Sequence, residues 1–413
     1  MATMQYREIP GRSIAYWTAL FACALLSVAG VAVGLYMRAE GHHVTGMNNQ
    51  IVWGIEHVFA VFLIIAASGA LNVASIASVF GQTVYKPLSR LSGLLAIALL
   101  VGGLWDLVLD LGRPGHVLDA IIYGNFLSIF AWNMYLYAGF LVITGFYLWF
   151  MMERRLNHYS HAMGVTAFLW RLTLTTGTGS IFGFLVSRSA YDTALLAPMF
   201  IIMSFAFGLA TFLLILIGGF RALGRPLGDL IRGRLKRLLT VFVAAVLYFV
   251  VVYNLTNLYM PGQRAFEGFL LLHGGVFTTL FWVGQILIGG VLPLVLLLGK
   301  KGGTSRTLVI ASAAVLIGGL AQVYIFIIGA QAYPQQLFPG MIVHSSFYDG
   351  VVNSYTPGWP ETTLAISGVG LVGLIVLLGV RIFPFLPESL ADQVTQAHAQ
   401  NATAPHTNAI TSP

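Results

Sequence analysis

The chain has 413 residues, of which 58% are hydrophobic and only 8% charged, and it carries a formal net charge of +7. A soluble chain of this size is charged at roughly a quarter of its positions, so a water-soluble globular fold is excluded. The basic excess sits in short loops between apolar runs, which points to anionic lipid headgroups and away from nucleic acid.

Windows of about 20 apolar residues, the length that crosses a bilayer as a helix, predict spans near 14–36, 52–79, 89–110, 128–151, 163–187, 194–220, 237–259, 272–299, 307–331 and 362–383. Lipid offers the backbone no hydrogen bonds, so runs of this length must be helices. The chain therefore reads as an all-α, ten-span membrane protein. Of the 21 Lys and Arg residues, Arg38, Arg113, Arg188 and Arg264 fall on one face and Arg171 falls inside a helix; all the others lie on the face that holds the amino end. Positive loops stay in the cytoplasm, so both termini are expected there.

The first run follows Arg7 and Arg12 but is too long for a typical signal core, and reads as a retained anchor. It holds Cys23, the only cysteine, so the chain has no disulfide of its own and no cysteine set for an iron–sulfur cluster. In the second span Trp53, Glu56 and His57 stand near the outer end, at spacings that stack side chains on one helix face. Asp106 and Asp110 share a face of the third span, also near its outer end. Asp110 opposes the helix macrodipole there, and Arg113, three residues on in LDLGRP (109–114), is the expected counter-ion.

Ionisable groups at membrane depth are costly and usually face an interior or a water path. A carboxylate with an imidazole suits a quinone headgroup, which needs a hydrogen-bonding group at each carbonyl oxygen and exchanges two protons per two-electron step. Trp53, Tyr123 and Trp132 are candidate walls for such a ring. Arg171, about 12 Å inside the fifth span at 1.5 Å per residue, lies too deep to snorkel easily. With Thr175, Thr176, Thr178 and Ser180 it suggests a polar conduit. Tyr253, Asn254, Asn257, Gln285 and Gln322 read as interhelical packing groups.

His42, His43, His116 and His344 fall in outer loops and offer a proton entry path. His158, His161, His398 and His406 carry no role in this reading. The long outer segment from Ala332 to Glu361, rich in aromatic residues, reads as a docking platform for an outer partner. The polar end after Pro387 reads as disordered. The resulting units are 1–51 (first flanking helix and loop), 52–187 (first four-helix bundle, with the site), 188–331 (second bundle), 332–386 (outer loop and last flanking helix) and 387–413 (tail).

The chain resembles the NrfD/PsrC family of quinone-interacting membrane subunits, and within it the DsrP-type subunits of Dsr sulfur-metabolism complexes. The resemblance is carried by HHVTGMNNQIVWG (42–54), ASGALNVASIASVFG (67–81), LDLGRP (109–114), NFLSIFAWN (125–133), TTGTGSIFGFLVSR (175–188), GGLAQVYIFIIGAQAYP (318–334), FYDGVVNSYTP (347–357) and FLPESLAD (385–392). It implies two four-helix bundles, helices two to five and six to nine, with one flanking helix at each end. It also implies a quinone site near the outer face of the first bundle, contacted by the histidine that matches His57. A tyrosine lines the site in the family, for which Tyr123 and Tyr135 are candidates.

The implied cofactor is an exchangeable menaquinone or ubiquinone, with no haem or iron–sulfur cluster in this chain. The implied partners are a periplasmic ferredoxin-like iron–sulfur subunit, a multihaem cytochrome c, a membrane b-type cytochrome and a cytoplasmic iron–sulfur subunit, all in a bacterial inner membrane. On this reading Glu56, His57 and Asp110 exchange protons; Trp53, Arg113, Tyr123 and Tyr135 surround the quinone; Asp106 and Arg171 extend a proton path. No metal is expected, and the chain is not expected to be active alone. Three other readings share this outline. One is a secondary transporter, since TTGTGS (175–180) could interrupt a helix. A second is a haem-bearing cytochrome b using His57 and His273, and a third is a structural anchor for outer subunits.

Overall fold

The computed structural model describes residues 4–335 and 350–403. Phe338, His344, Phe347 and Tyr348, in the middle of the expected docking platform, lie outside the described residues. Ten long helices follow one another: α1 (Ile14–Glu40), α2 (Ile55–Ser78), α3 (Thr83–Asp110), α4 (Ile129–Met152), α5 (Ser160–Gly183), α6 (Leu196–Ala222), α7 (Asp229–Tyr259), α8 (Val276–Leu298), α9 (Ser305–Ala332) and α10 (Trp359–Ile382). All but α5 are long and apolar enough to cross a membrane, giving nine such helices among the described residues. Helix α5 occupies the place of the expected fifth span. Its run of Thr, Gly and Ser residues and its buried Arg171 lower its hydropathy.

Helix α2 sits at the centre: 83% of its most apolar stretch is buried, against 22% for α1 and for α7. It packs on α3, α5 and α6; α4 packs on α3 and α5, and α6 also meets α7 and α9. Helices α1 and α10 pair with each other and lie against α3, and α10 also reaches α2. The last helix is thereby carried back beside the second and third.

Two local devices let α2 fit there. The Ser92 hydroxyl of α3 donates to the Ala70 carbonyl (2.7 Å) and accepts from the Ala74 amide (3.1 Å), so it enters the ladder of α2 at the turn around Leu71. Below it α2 crosses α6 backbone to backbone. A Cβ added at Gly208 would lie 2.1 Å from Ala70 N and Gly69 C, so only glycine permits this crossing.

The tail differs from the expectation of disorder after Pro387. It is ordered as far as the described residues reach, and it forms a helix, α11 (Asp392–Thr403). The Arg225 guanidinium donates to the carbonyls of Arg7, Glu8, Leu386 and Pro387, and Asp392 Oδ1 accepts from Leu230 N (2.9 Å) at the start of α7. Leu390 is fully buried. Composition gave no sign of this, because the partners are backbone groups of the amino end and of the loop before α7.

Gly208→Val should cost ~1–3 kcal/mol through overpacking of the α2–α6 crossing. Thermal unfolding in detergent would show this as a clear drop in midpoint, whereas Gly218→Val, with open space around its Cβ, should change it little.

Candidate functional site

The loop leading into α2 is held from three sides before the first site residue is reached. Gln331 Oε1 of α9 accepts from the amides of Val52 (2.9 Å) and Trp53 (3.1 Å), and its Nε2 donates to the Trp53 carbonyl (3.1 Å). Arg188 donates to the carbonyls of Gln50 (2.9 Å) and Gln331 (3.2 Å), and Gln50 Nε2 donates back to Gln331 and Ala332. The Tyr355 hydroxyl accepts from Ile55 N (2.8 Å) at the first residue of α2. The start of α2 is therefore fixed by residues 138 to 300 positions away.

Glu56 lies in the first turn of α2, where the macrodipole favours a carboxylate, and is 1% exposed. Its Oε1 accepts from His57 Nδ1 (2.7 Å). The other ring nitrogen, His57 Nε2, stands 3.6 Å from Asp110 Oδ2. Asp110 closes α3, and its Oδ1 and carbonyl accept from His42 Nε2 (3.1 and 3.0 Å). A continuous row of groups results: Glu56, His57, Asp110 and then His42, whose side chain is 41% exposed to the outside. Ligand atoms of Glu56, His57 and Asp110 lie within 4.8 Å of one another, a spacing that would also admit a divalent cation.

This corrects the expected role of Arg113. Asp110 is paired with His42 and His57, and Arg113 is exposed and makes no ion pair among the described residues. The turn after Asp110 is extended at Leu111 and enters a short helical turn at Pro114, which carries the Arg113 side chain outward.

The aromatic walls are also only partly as expected. The Trp53 ring stacks on that of His57 (centroids 6.4 Å apart, 27° between planes) and meets Phe130 and the edge of Phe182. Tyr123 is 81% exposed, and Tyr135 donates to the Ile121 carbonyl (2.5 Å) while stacking on Phe126. Trp132 turns to the Phe126 carbonyl. Among the described residues Phe130 and Phe182 are the rings against Trp53 beside His57; the sequence does not single them out, because which face of α4 and α5 meets Trp53 depends on packing.

Asp106 is buried one turn deeper, with neither carboxylate oxygen hydrogen-bonded among the described residues, and it lies against the backbone of Gly368 in α10. Arg171 is fully enclosed. It donates to Asn72 Oδ1 (2.9 Å), and its guanidinium lies over Phe168 and Phe205. Ser68, Thr175, Thr178 and Asn133 continue a polar row along α5. No described hydrogen bond joins that row to His57.

Sequence reasoning missed Glu361 and Tyr355, which complete the cluster from the opposite end of the chain. Glu361 Oε2 accepts from the Tyr355 hydroxyl (2.6 Å). Burial, and then the contact with Glu361, push the Tyr355 phenol well above its usual range, so it remains a donor. The available signal, Gly-Trp-Pro-Glu, reads as an ordinary helix start. Also missed was Glu267, in a short helix (Arg264–Gly268) before α8. Burial pushes its carboxyl up to about 7, against the lowering effect of the hydrogen bond from Asn257 (2.8 Å).

With the geometry in place, relationship can be read. The family profile described as Polysulphide reductase, NrfD matches residues 43–335, and the chain belongs to that family. It is 31% identical over 401 residues, 95% of this chain and 99% of the relative, to the Hdr-like menaquinol oxidoreductase integral membrane subunit of Archaeoglobus fulgidus. It is 24% identical over 439 residues to a selenate reductase subunit of Mesobacillus selenatarsenatis, covering 95% of this chain and 99% of that one. It is 26% identical over 315 residues to a polysulfide reductase polypeptide of Wolinella succinogenes, covering 71% of this chain and 96% of that one. The chain is thus a multi-pass membrane protein of a family whose relatives named above are oxidoreductase polypeptides, one of them an integral membrane subunit.

Two outcomes are expected. Tyr355→Phe leaves Ile55 N–H and Glu361 short of a partner and should cost ~1–3 kcal/mol, whereas Arg113→Ala should stay within about 0.5 kcal/mol in the same thermal unfolding assay. Glu267 binds its proton more tightly folded than unfolded, so its contribution falls as pH rises from the ordinary carboxylate range to about 7 and is level above. Glu267→Gln should remove that slope and raise the midpoint at alkaline pH.

Proposed function

We propose that this chain is the quinone-reactive membrane subunit of an electron-transfer complex linked to dissimilatory sulfur metabolism. It spans the bacterial cytoplasmic membrane ten times, α5 included, with both termini inside and with α2–α5 and α6–α9 as two four-helix bundles. The observation that carries the reading is His57, held between two carboxylates at the outer end of α2 with Trp53 stacked on its ring. Support comes from the family and from the relatives named for menaquinol and polysulfide chemistry, which favour menaquinone over ubiquinone.

Bound quinone supplies two-electron, two-proton redox chemistry. The residues do the rest. Glu56 accepts from Nδ1 and so fixes the tautomer of His57, leaving Nε2 to accept from a quinol hydroxyl and, once protonated, to donate to a quinone carbonyl oxygen. Asp110, beside Nε2, and His42, at the surface, connect that atom to outer water. Trp53, with Phe130 and Phe182, keeps the ring flat and the site dry. Asp106 and Arg171 are proposed as an inward polar extension of the proton path.

Electrons pass to or from a periplasmic ferredoxin-like iron–sulfur subunit seated over the outer loops. A multihaem cytochrome c, a membrane b-type cytochrome and a cytoplasmic iron–sulfur subunit complete the assembly.

The test is binding of a quinone analogue to the purified complex. His57→Ala should weaken it by at least about tenfold, the equivalent of one lost hydrogen bond to a charged or strongly polarised partner, while assembly is retained. Unchanged affinity in an assembled His57→Ala complex sinks the reading.

A further inference from the structure

Glu361 is a carboxylate that the scheme above does not use. It stands in the first turn of α10, fully buried, and its Oε1 accepts from the amides of Gly46 (2.6 Å) and Gly358 (2.5 Å) while Oε2 accepts from Tyr355 (2.6 Å). A capping role explains the bond to Gly358. It does not explain what lies opposite. The point that a Cβ on Gly54 would occupy is 2.4 Å from Glu361 Oε2 and 2.8 Å from Glu56 Oε2, so the two carboxylates face each other across a glycine. Glu56 Oε2 is buried and has no hydrogen-bond partner among the described residues. A hydrogen on that oxygen, directed at Glu361, would supply the missing bond.

We propose that Glu361 is a proton-holding, positioning residue of the site: a proton that passes from His57 to Glu56 is shared between Glu56 and Glu361 until it can leave. The inference rests on the quinone reading. Oxidation of one quinol releases two electrons, taken by the outer iron–sulfur partner, and two protons. The row of groups offers a single exit, from His57 through Asp110 to His42. One proton leaves by that exit; the second goes from His57 Nδ1 to Glu56 and is held by the carboxyl pair, then follows through the same imidazole. Quinone reduction runs the sequence backwards with the same balance.

The groups facing the pair are consistent with this role. Glu56 and His57 come from α2, and Tyr355 from the loop before α10. Tyr324 of α9 has its ring 6.4 Å from that of Tyr355, and Asp106 of α3 lies two turns further along α10. No Lys or Arg forms an ion pair with Glu361 among the described residues, so a proton is the available neutralising charge. Glu361 also lies beyond residue 335, where the family match ends.

The experiment uses the intact complex with Glu361→Gln, which keeps the side-chain length but cannot bind a proton. Expected are retained assembly, quinone-analogue affinity within about twofold, and quinol turnover reduced at least about tenfold in kcat with little change in KM. Glu361→Asp should restore part of the loss. Quinol-reduced minus oxidised infrared spectra should show a protonated-carboxyl band that disappears in Glu361→Gln and in Glu56→Gln but persists in Asp106→Asn. Wild-type turnover with an unaltered band in Glu361→Gln overturns the proposal and leaves Glu361 a helix cap. Should that variant fail to assemble, isotopic labelling of glutamate carboxyl carbons in the wild-type complex decides, since a band that does not shift also overturns it. Failure of the quinone reading would show separately, as analogue binding indifferent to His57.

Discussion

An acid at the carboxyl end of a membrane helix has the helix dipole against it and no bulk water to offset the charge. Asp110 is in that position, and the surrounding architecture follows from how it is satisfied. Its partners are two imidazoles: His42 from the loop after α1 and His57 from the first turn of α2. Bringing both to one carboxylate requires α1, α2 and α3 to end at the same depth. That in turn requires α2 to run through the middle of the molecule, which the glycine crossing with α6 and the Ser92 insertion allow.

Imidazole partners have a chemical consequence that an arginine would not. An Arg–Asp pair stays charged over the whole physiological range and passes no protons. An imidazole, unlike a guanidinium, has a ring nitrogen that can give up a proton and take it back, which is the chemistry the proposed proton path requires. The row is open to solvent at His42 and buried at Glu56, the asymmetry that the proposed path uses.

The sequence made the spans legible because each is a long apolar run, and the helix ends observed fall within a few residues of the expected ones except at α3, which starts at Thr83 rather than near 89, and at α7, which starts at Asp229 rather than near 237. The contrast lies in the side-chain partners. Glu56 with His57 was legible because the two are adjacent. Arg113 was a poor guess for Asp110 for a related reason: proximity in sequence suggested it, whereas the partners come from 68 residues upstream and from another helix. Tyr123 and Tyr135 were candidates by residue type, and type does not say that Tyr123 precedes α4 with its ring exposed or that Tyr135 turns to the Ile121 carbonyl. Glu361 was hidden by a sequence that satisfies a local rule, so nothing in it called for a tertiary role.

The loop that delivers Trp53 is held chiefly by Gln331 of α9 and by Arg188, which bonds both that loop and the end of α9. The site itself lies among α2, α3 and α5, yet its entrance is fixed by the helices of the second half. A shift of α9 relative to α2 would move Trp53 off His57, because the Gln331 amide bonds the backbone of Trp53 on both its N–H and its carbonyl. The second half of the chain has no described row of acids and imidazoles like the first, and this clamp gives it a physical reason to be there. It fixes the Trp53 ring, and with it the stack on His57, more tightly than a free loop could.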